Sequence, residues 1–188
     1  MQQAKTNAFK VIGQRLAGAR WTPSPFHSAR PSWADIELVI LHCISLPEGA
    51  YGTGYPAQLF LGGLDTESDP SFADLAGLEV SSHFLVDREG QVQQFVELDR
   101  QAWHAGLSQW RGRSGCNRFS IGIEIEGCES DIYTQAQYEA VSDILRALLD
   151  HYPGLSSDHI VGHQEVASGR KTDPGPGFDW TTLLLGLV

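Results

Sequence analysis

Apolar residues run almost without a break from Ile36 to Ile44, in "IELVILHCI", and many of them are β-branched. That is the pattern of a central strand covered on both faces. His42 interrupts its far end. In "FSIGIEIEG" the alternation is strict: Ile121, Ile123 and Ile125 take one face of a predicted strand, and Gly122, Glu124 and Glu126 take the other. "SSHFLVDREGQVQQFVEL" reads as two strands joined by a turn at Asp87 to Gly90, with Phe84 and Val86 answered by Val92 and the Phe95-Val96 pair. The period then becomes helical. Tyr138, Val141, Leu145, Leu148 and Tyr152 line one side of a helix that Thr134 and Gln137 open as a capping box and Pro153-Gly154 stops.

"HIVGH" predicts a short strand ending at His163, and "DWTTLLLGLV" a short closing helix. Between Glu48 and Val80 the chain is punctuated by glycine and proline, with helical turns predicted at Ala57 to Leu61 and Phe72 to Leu78; a segment of that length suits a functional lid as well as plain packing. Strands interspersed with helices, one hairpin among them, predict an α/β (α+β) fold. The expectation is a single domain over residues 1–188 with a central mixed β-sheet flanked by helices.

Composition narrows the function classes. A chain of 188 residues, 41% hydrophobic and 19% charged, is that of one soluble domain with a full core. The net charge of −10 argues against a nucleic-acid partner, since phosphate binding needs a basic face. The three cysteines, Cys43, Cys116 and Cys128, form no CxxC pair and no disulfide framework. Neither a signal-peptide run nor a membrane-spanning stretch is visible, so the expected location is the cytoplasm, with no membrane partner. "GTG" at Gly52 to Gly54 lacks the context of a phosphate-binding loop.

Candidate chemistry lies where strands end and loops begin. His42, Glu124, His163 and the Lys171/Asp173 pair occupy such places. Two neutral imidazoles and a carboxylate can hold Zn²⁺ and leave a position for water, which would make a hydrolase site. The loop "GRKTDPGPGFDW" adds geometry: Asp173 precedes Pro174 and is therefore extended, so Lys171 and Asp173 project to one side with Thr172 turned away. The competing reading of Glu124 is a residue facing solvent, because the alternation would be identical. His83 either lines the site or packs, while His27, His151 and His159 read as surface or capping residues.

The stretches "ILHCISLPEGAYG", "SSHFLVDREGQVQQFV", "AWHAGLSQWRGR", "CNRFSIGIEIEG", "YTQAQY" and "GRKTDPGPGFDW" occur in the order found in the AmpD family, which the chain resembles from about Trp21 to Trp180. Members are cytoplasmic zinc amidases that cleave anhydromuramyl peptides during bacterial cell-wall recycling. The resemblance implies an amidase/peptidoglycan-recognition-protein-like fold with Zn²⁺ as cofactor, held by His42, His163 and Asp173. It makes Glu124 and Lys171 the catalytic pair. Trp103 and His104 of "AWHAG" are then the expected wall for the sugar, and Arg113 the expected guanidinium fork for the stem-peptide carboxylates. The chain departs from the family's usual pattern at Cys43, Glu79 and Gly115. The implied partner is a small muropeptide substrate, acted on by a monomer.

Three other readings compete. One is a peptidoglycan-recognition module that binds without cutting. Another is an amidase for intact wall outside the cytoplasm. The third is a metal-free hydrolase using Glu124 and Glu126 as a carboxylate pair.

Overall fold

The computed structural model of the chain describes residues 9–31 and 36–187. Residues 1–8, the first part of the N-terminal stretch in which no signal-peptide run is visible, lie outside these. In chain order the strands are β1 (Lys10–Ile12), β2 (Arg15–Ala17), β3 (Arg20–Trp21), β4 (His27–Ala29), β5 (Leu38–Ile44), β6 (Phe84–Val86), β7 (Val92–Gln94), β8 (Arg100–Ala102), β9 (Gln109–Trp110), β10 (Arg113–Ser114), β11 (Ser120–Glu126) and β12 (Ile160–Gly162). The helices are α1 (Tyr55–Phe60), α2 (Gln135–His151), α3 (His163–Val166) and α4 (Trp180–Leu185). No helix among the described residues is long and apolar enough to cross a membrane.

A six-stranded sheet of order β12-β5-β11-β6-β7-β3 forms the centre. β12, β5, β11 and β6 run parallel, β7 turns back antiparallel to β6, and β3 is parallel to β7, so the sheet is mixed, as expected. In register, Glu124 stands opposite His42 on one side and Leu85 on the other. The three share one face of the sheet.

The two faces differ. On one, Val39 and Leu41 of β5, the three isoleucines of β11, and Phe84 and Val86 of β6 meet Val141, Ile144, Leu145 and Leu148 of α2 and Leu183 of α4. Each large side chain buried this way contributes about 1.5–3 kcal/mol. The helix that covers this face starts where the sequence places it. Thr134 Oγ1 accepts the Gln137 backbone N–H at 3.1 Å and Gln137 Oε1 accepts that of Thr134 at 3.0 Å, a cap that stabilises by ~1 kcal/mol. Gln137 Nε2 also donates to Glu126 O at 2.8 Å, which ties the start of α2 to the end of β11.

The opposite face carries two smaller apolar clusters. One gathers Leu38, Ile40, Ala105, Cys116, Phe119, Val161 and Val166; the other gathers Leu59, Phe60, Leu85, Phe95, Val96 and Ala102. Buried polar residues of this face include His42, Glu124 and His163. All seven residues of β11 are buried. Its alternation therefore separates two interiors, and Glu124 does not face solvent.

Several local expectations are modified. The strand predicted from Ile36 begins at Leu38. In the hairpin Val86 pairs with Val92, but Phe84 faces Gln94, where β7 ends. The Gln94 amide there accepts from Leu16 N at 2.8 Å and donates to Val96 O at 3.0 Å, while Phe95 and Val96 pack into the second face. Helix α1 begins at Tyr55, ahead of the predicted turn, because Pro56 suits a first helical turn. Phe72 sits in a 3-10 turn over Pro70–Leu75, capped by Asp69, whose carboxylate accepts from Ser71 N at 2.9 Å. His163 opens α3 where a strand end was expected. The three cysteines are free thiols.

Candidate active site

The C-terminal ends of β5, β11 and β12 deliver His42, Glu124 and His163 to one place, and the loop after α3 closes over it with Asp173. Local sequence explains this convergence. Gly162, the last residue of β12, has no side chain to obstruct that loop: a methyl there would lie 2.7 Å from Pro174 Cδ. Asp173 O accepts from Gln164 N at 3.1 Å and Pro174 O accepts from Tyr133 Oη at 3.1 Å, so the loop is fastened on both sides.

His42, His163 and Asp173 are buried, and their ligand atoms lie within 4.8 Å of one another. Asp173 Oδ2 is 3.1 Å from His42 Nδ1 and 3.2 Å from His163 Nδ1. Those two nitrogens are 3.0 Å apart, with the rings edge to face. The far nitrogens are also engaged: His163 Nε2 lies 3.1 Å from Ala105 O, and His42 Nε2 lies 2.9 Å from His104 Nδ1. Such a set, with both Nδ1 atoms and a carboxylate oxygen turned on one point, has the donor chemistry and spacing of a divalent-metal site.

Electrostatics agree. Burial pushes the His42 imidazole down to about 4, with His163 adding to the effect, so it is neutral and able to act as a ligand. Burial raises the Asp173 carboxyl, but its contacts with His163 and His42 outweigh it and hold the group well below its ordinary range. For Glu124, burial and then the charge of Asp173 raise the carboxyl well above its ordinary value, with Lys171 partly offsetting them. Lys171 is exposed, yet its charge acts on both His42 and Glu124. Thr172 turns the other way, its hydroxyl donating to Glu129. Asp173 and Pro174 lie in a turn and not in the extended run expected from the sequence.

Of the other expected site residues, His104 touches the cluster, whereas Trp103 and Arg113 are engaged with other partners. Trp103 Nε1 donates to Ser28 Oγ at 3.1 Å, and its half-buried ring stacks on Phe26 with centroids 6.3 Å apart. His104 packs edge-on against His42 and His83. Arg113 is ion-paired to Glu37 at 2.8 Å and covers the Phe119 ring. A cavity of ≈ 600 Å³ opens along residues 106–109, Gly115 and Arg170. Arg170 joins it to the cluster by donating to Ala105 O at 2.7 Å.

Glu126 differs from Glu124 despite sharing its face. Its two carboxylate oxygens accept from Gly52 N at 2.7 Å and Arg88 N at 3.2 Å, anchoring the long 48–80 segment and the hairpin turn. That occupation speaks against the Glu124/Glu126 pair as joint acid and base. His83 is structural: Nδ1 accepts from Gly122 N at 3.0 Å and Nε2 donates to Arg100 O at 3.0 Å. Two polar residues escaped the sequence reading. Buried Arg30 donates to Leu98 O, Asn117 O and Ser120 O, and Asn117 Oδ1 accepts from both His104 N and Ala105 N. Asn117 was the more visible, since it stands inside one of the short motifs, "CNRFSIGIEIEG".

Two histidines that converge with an aspartate, beside a buried carboxylate of raised pKa, form on this mixed sheet a cluster compatible with the metal site of a hydrolase. The family described as N-acetylmuramoyl-L-alanine amidase matches residues 32–176, and the chain belongs to it. It is 47% identical over 165 residues to the 1,6-anhydro-N-acetylmuramyl-L-alanine amidase AmpD of Escherichia coli (strain K12), covering 88% of this chain and 90% of that protein. A crystal structure of a selenomethionine AmpD derivative superposes with a TM-score of 0.91 at 42% identity, over 95% of this chain and 99% of that one. The amidase AmiD from E. coli, in complex with its substrate anhydro-N-acetylmuramic acid-L-Ala-D-γ-Glu-L-Lys, aligns with a TM-score of 0.59 at 26% identity, over 96% of this chain and 66% of that one.

Proposed function

We propose that this chain is a zinc-dependent amidase of cytoplasmic peptidoglycan recycling, acting as one domain and as a monomer. It hydrolyses the amide between the lactyl group of (anhydro-)N-acetylmuramic acid and the L-alanine of the stem peptide. The observation that carries the reading is the convergence of His42, His163 and Asp173 beside Glu124, a buried carboxylate in register with His42. The high identity to AmpD and the muropeptide held by AmiD support the substrate class.

His42 and His163 through Nδ1, and Asp173 through Oδ2, would hold the ion. Zinc bound there supplies Lewis-acid polarisation of the scissile carbonyl and acidifies water. Glu124 moves the proton: its carboxylate takes one from the attacking water and hands it to the departing amine nitrogen, and its raised pKa suits both halves of that exchange. Lys171 places a cation where negative charge develops on the carbonyl oxygen. Trp103, stacked on Phe26, offers the sugar an aromatic wall.

Metal analysis of the gently purified protein, joined to a product assay on anhydromuramyl tripeptide, tests the reading. The expected result is about one zinc per chain and release of the free tripeptide. A well-folded protein that takes up no Zn²⁺ when it is offered sinks the proposal. Lys171→Ala is expected to keep its zinc and lose roughly a hundredfold in kcat; unchanged turnover would remove Lys171 from the mechanism.

A further inference from the structure

The two metal-facing histidines lean on neighbouring residues of one segment. His42 Nε2 meets His104 Nδ1 at 2.9 Å and His163 Nε2 meets Ala105 O at 3.1 Å. That segment is itself held, because Asn117 Oδ1 accepts from the backbone N–H of His104 at 3.3 Å and of Ala105 at 2.9 Å. The His104 ring has a seat made for it. A methyl on Gly122, in the middle of β11, would lie 2.5 Å from His104 Cγ, so only glycine at that position admits the imidazole against the sheet.

We propose that His104 is a positioning residue for His42, not a substrate contact, and that the His104-Ala105 segment clamps both metal histidines in the tautomer that bares Nδ1. The inference rests on the metal reading above. Proton accounting supports it. A neutral imidazole carries one N–H; if His163 Nε2–H donates to Ala105 O, its Nδ1 is bare. The same holds for His42 if its Nε2–H donates to His104 Nδ1. His104 must then keep its own proton on Nε2, and Ser120 Oγ lies 3.2 Å from that atom to accept it. Both ring nitrogens are therefore spent inside the protein, and neither is left for a sugar.

Three variants, each checked for folding by thermal unfolding, test the proposal through zinc affinity measured by competition with a chromophoric chelator. His104→Leu removes the acceptor at similar bulk and is expected to weaken zinc binding by roughly tenfold to a hundredfold. His104→Asn places an amide oxygen near the lost Nδ1 and is expected to recover most of that affinity. Ser120→Ala, which leaves every ring in place, is expected to lower it several-fold. In zinc-saturated protein, His104→Leu should reduce kcat with KM close to the parent. Parental zinc affinity in folded His104→Leu and Ser120→Ala overturns the inference, as does a rise confined to KM. If the parent itself binds no zinc, the metal reading falls first and this inference with it.

Discussion

The two faces of β11 are buried alike but are built for different ends. Ile121, Ile123 and Ile125 pack against α2 in the largest apolar cluster, where any side chain of similar shape would serve. One residue along, Gly122, Glu124 and Glu126 make three contacts that depend on identity: a seat for His104, an acid of raised pKa and an anchor for two loops. Burial by itself does not reveal which face does chemistry. What separates them is the cost each accepts, since the second face buries carboxylates and imidazoles that water would stabilise better.

The largest break in this comparison is expected from Glu124→Gln. Loss of a proton-transfer group lowers kcat by about 10²–10⁴-fold. Stability should move the other way. The Glu124 pKa is raised in the fold, so its charge opposes folding increasingly as pH rises from its ordinary value towards the raised one. Unfolding of metal-free Glu124→Gln at about pH 8 should therefore need more urea than the parent. A variant both inactive and less stable there would contradict the account.

Ile123→Ala probes the apolar face. It should cost about 2–5 kcal/mol of stability, read from the urea midpoint, while kcat per folded molecule stays near the parent. A variant as stable as the parent would show that α2 does not rely on this face.

Acid pH should also tell the faces apart. His42, His83 and His104 are neutral in the fold because burial lowers them from an ordinary value of 6.5. The unfolded chain takes up protons there that the fold refuses. Stability of the metal-free protein thus falls as pH drops below about 6.5, by up to ~1.4 kcal/mol per pH unit for each histidine. Glu124 opposes this trend, because on its account stability rises as pH falls, so Glu124→Gln should steepen the acid slope. In Glu124→Gln, where that opposition is gone, a urea midpoint unchanged between about pH 7 and pH 5 would show that the buried histidines do not refuse protons in the fold.

How much of this was legible depended on periodicity. The long strand, the β11 alternation and α2 with its cap were readable, because each repeats its pattern often enough to set a period. The strands β1 to β4 and β8 to β10 were not: two or three residues cannot establish one, and their pairing is decided by distant partners. The ligand residues stood out only as isolated polar groups at element ends, and it was the resemblance of linked motifs that joined them. Arg30 and Asn117 gave no chemical signal of their own, since they act by donating to or accepting from backbone groups that meet only in the folded chain.

The smallest expected effect separates the two acids of one face. Glu126 accepts two backbone N–H groups, and Glu126→Gln would replace one acceptor with a donor that faces an N–H. The cost should be about 1–3 kcal/mol of stability, with kcat of the folded variant close to the parent, because the group steadies the Gly52 and Arg88 backbones and touches no reacting atom. Digestion by a protease specific for loops should then speed up in the 48–80 segment before the rest of the chain. A loss of kcat matching that of Glu124→Gln, in a variant whose unfolding is unchanged, would instead make the two carboxylates partners in proton transfer and erase the distinction between an acid that reacts and one that holds.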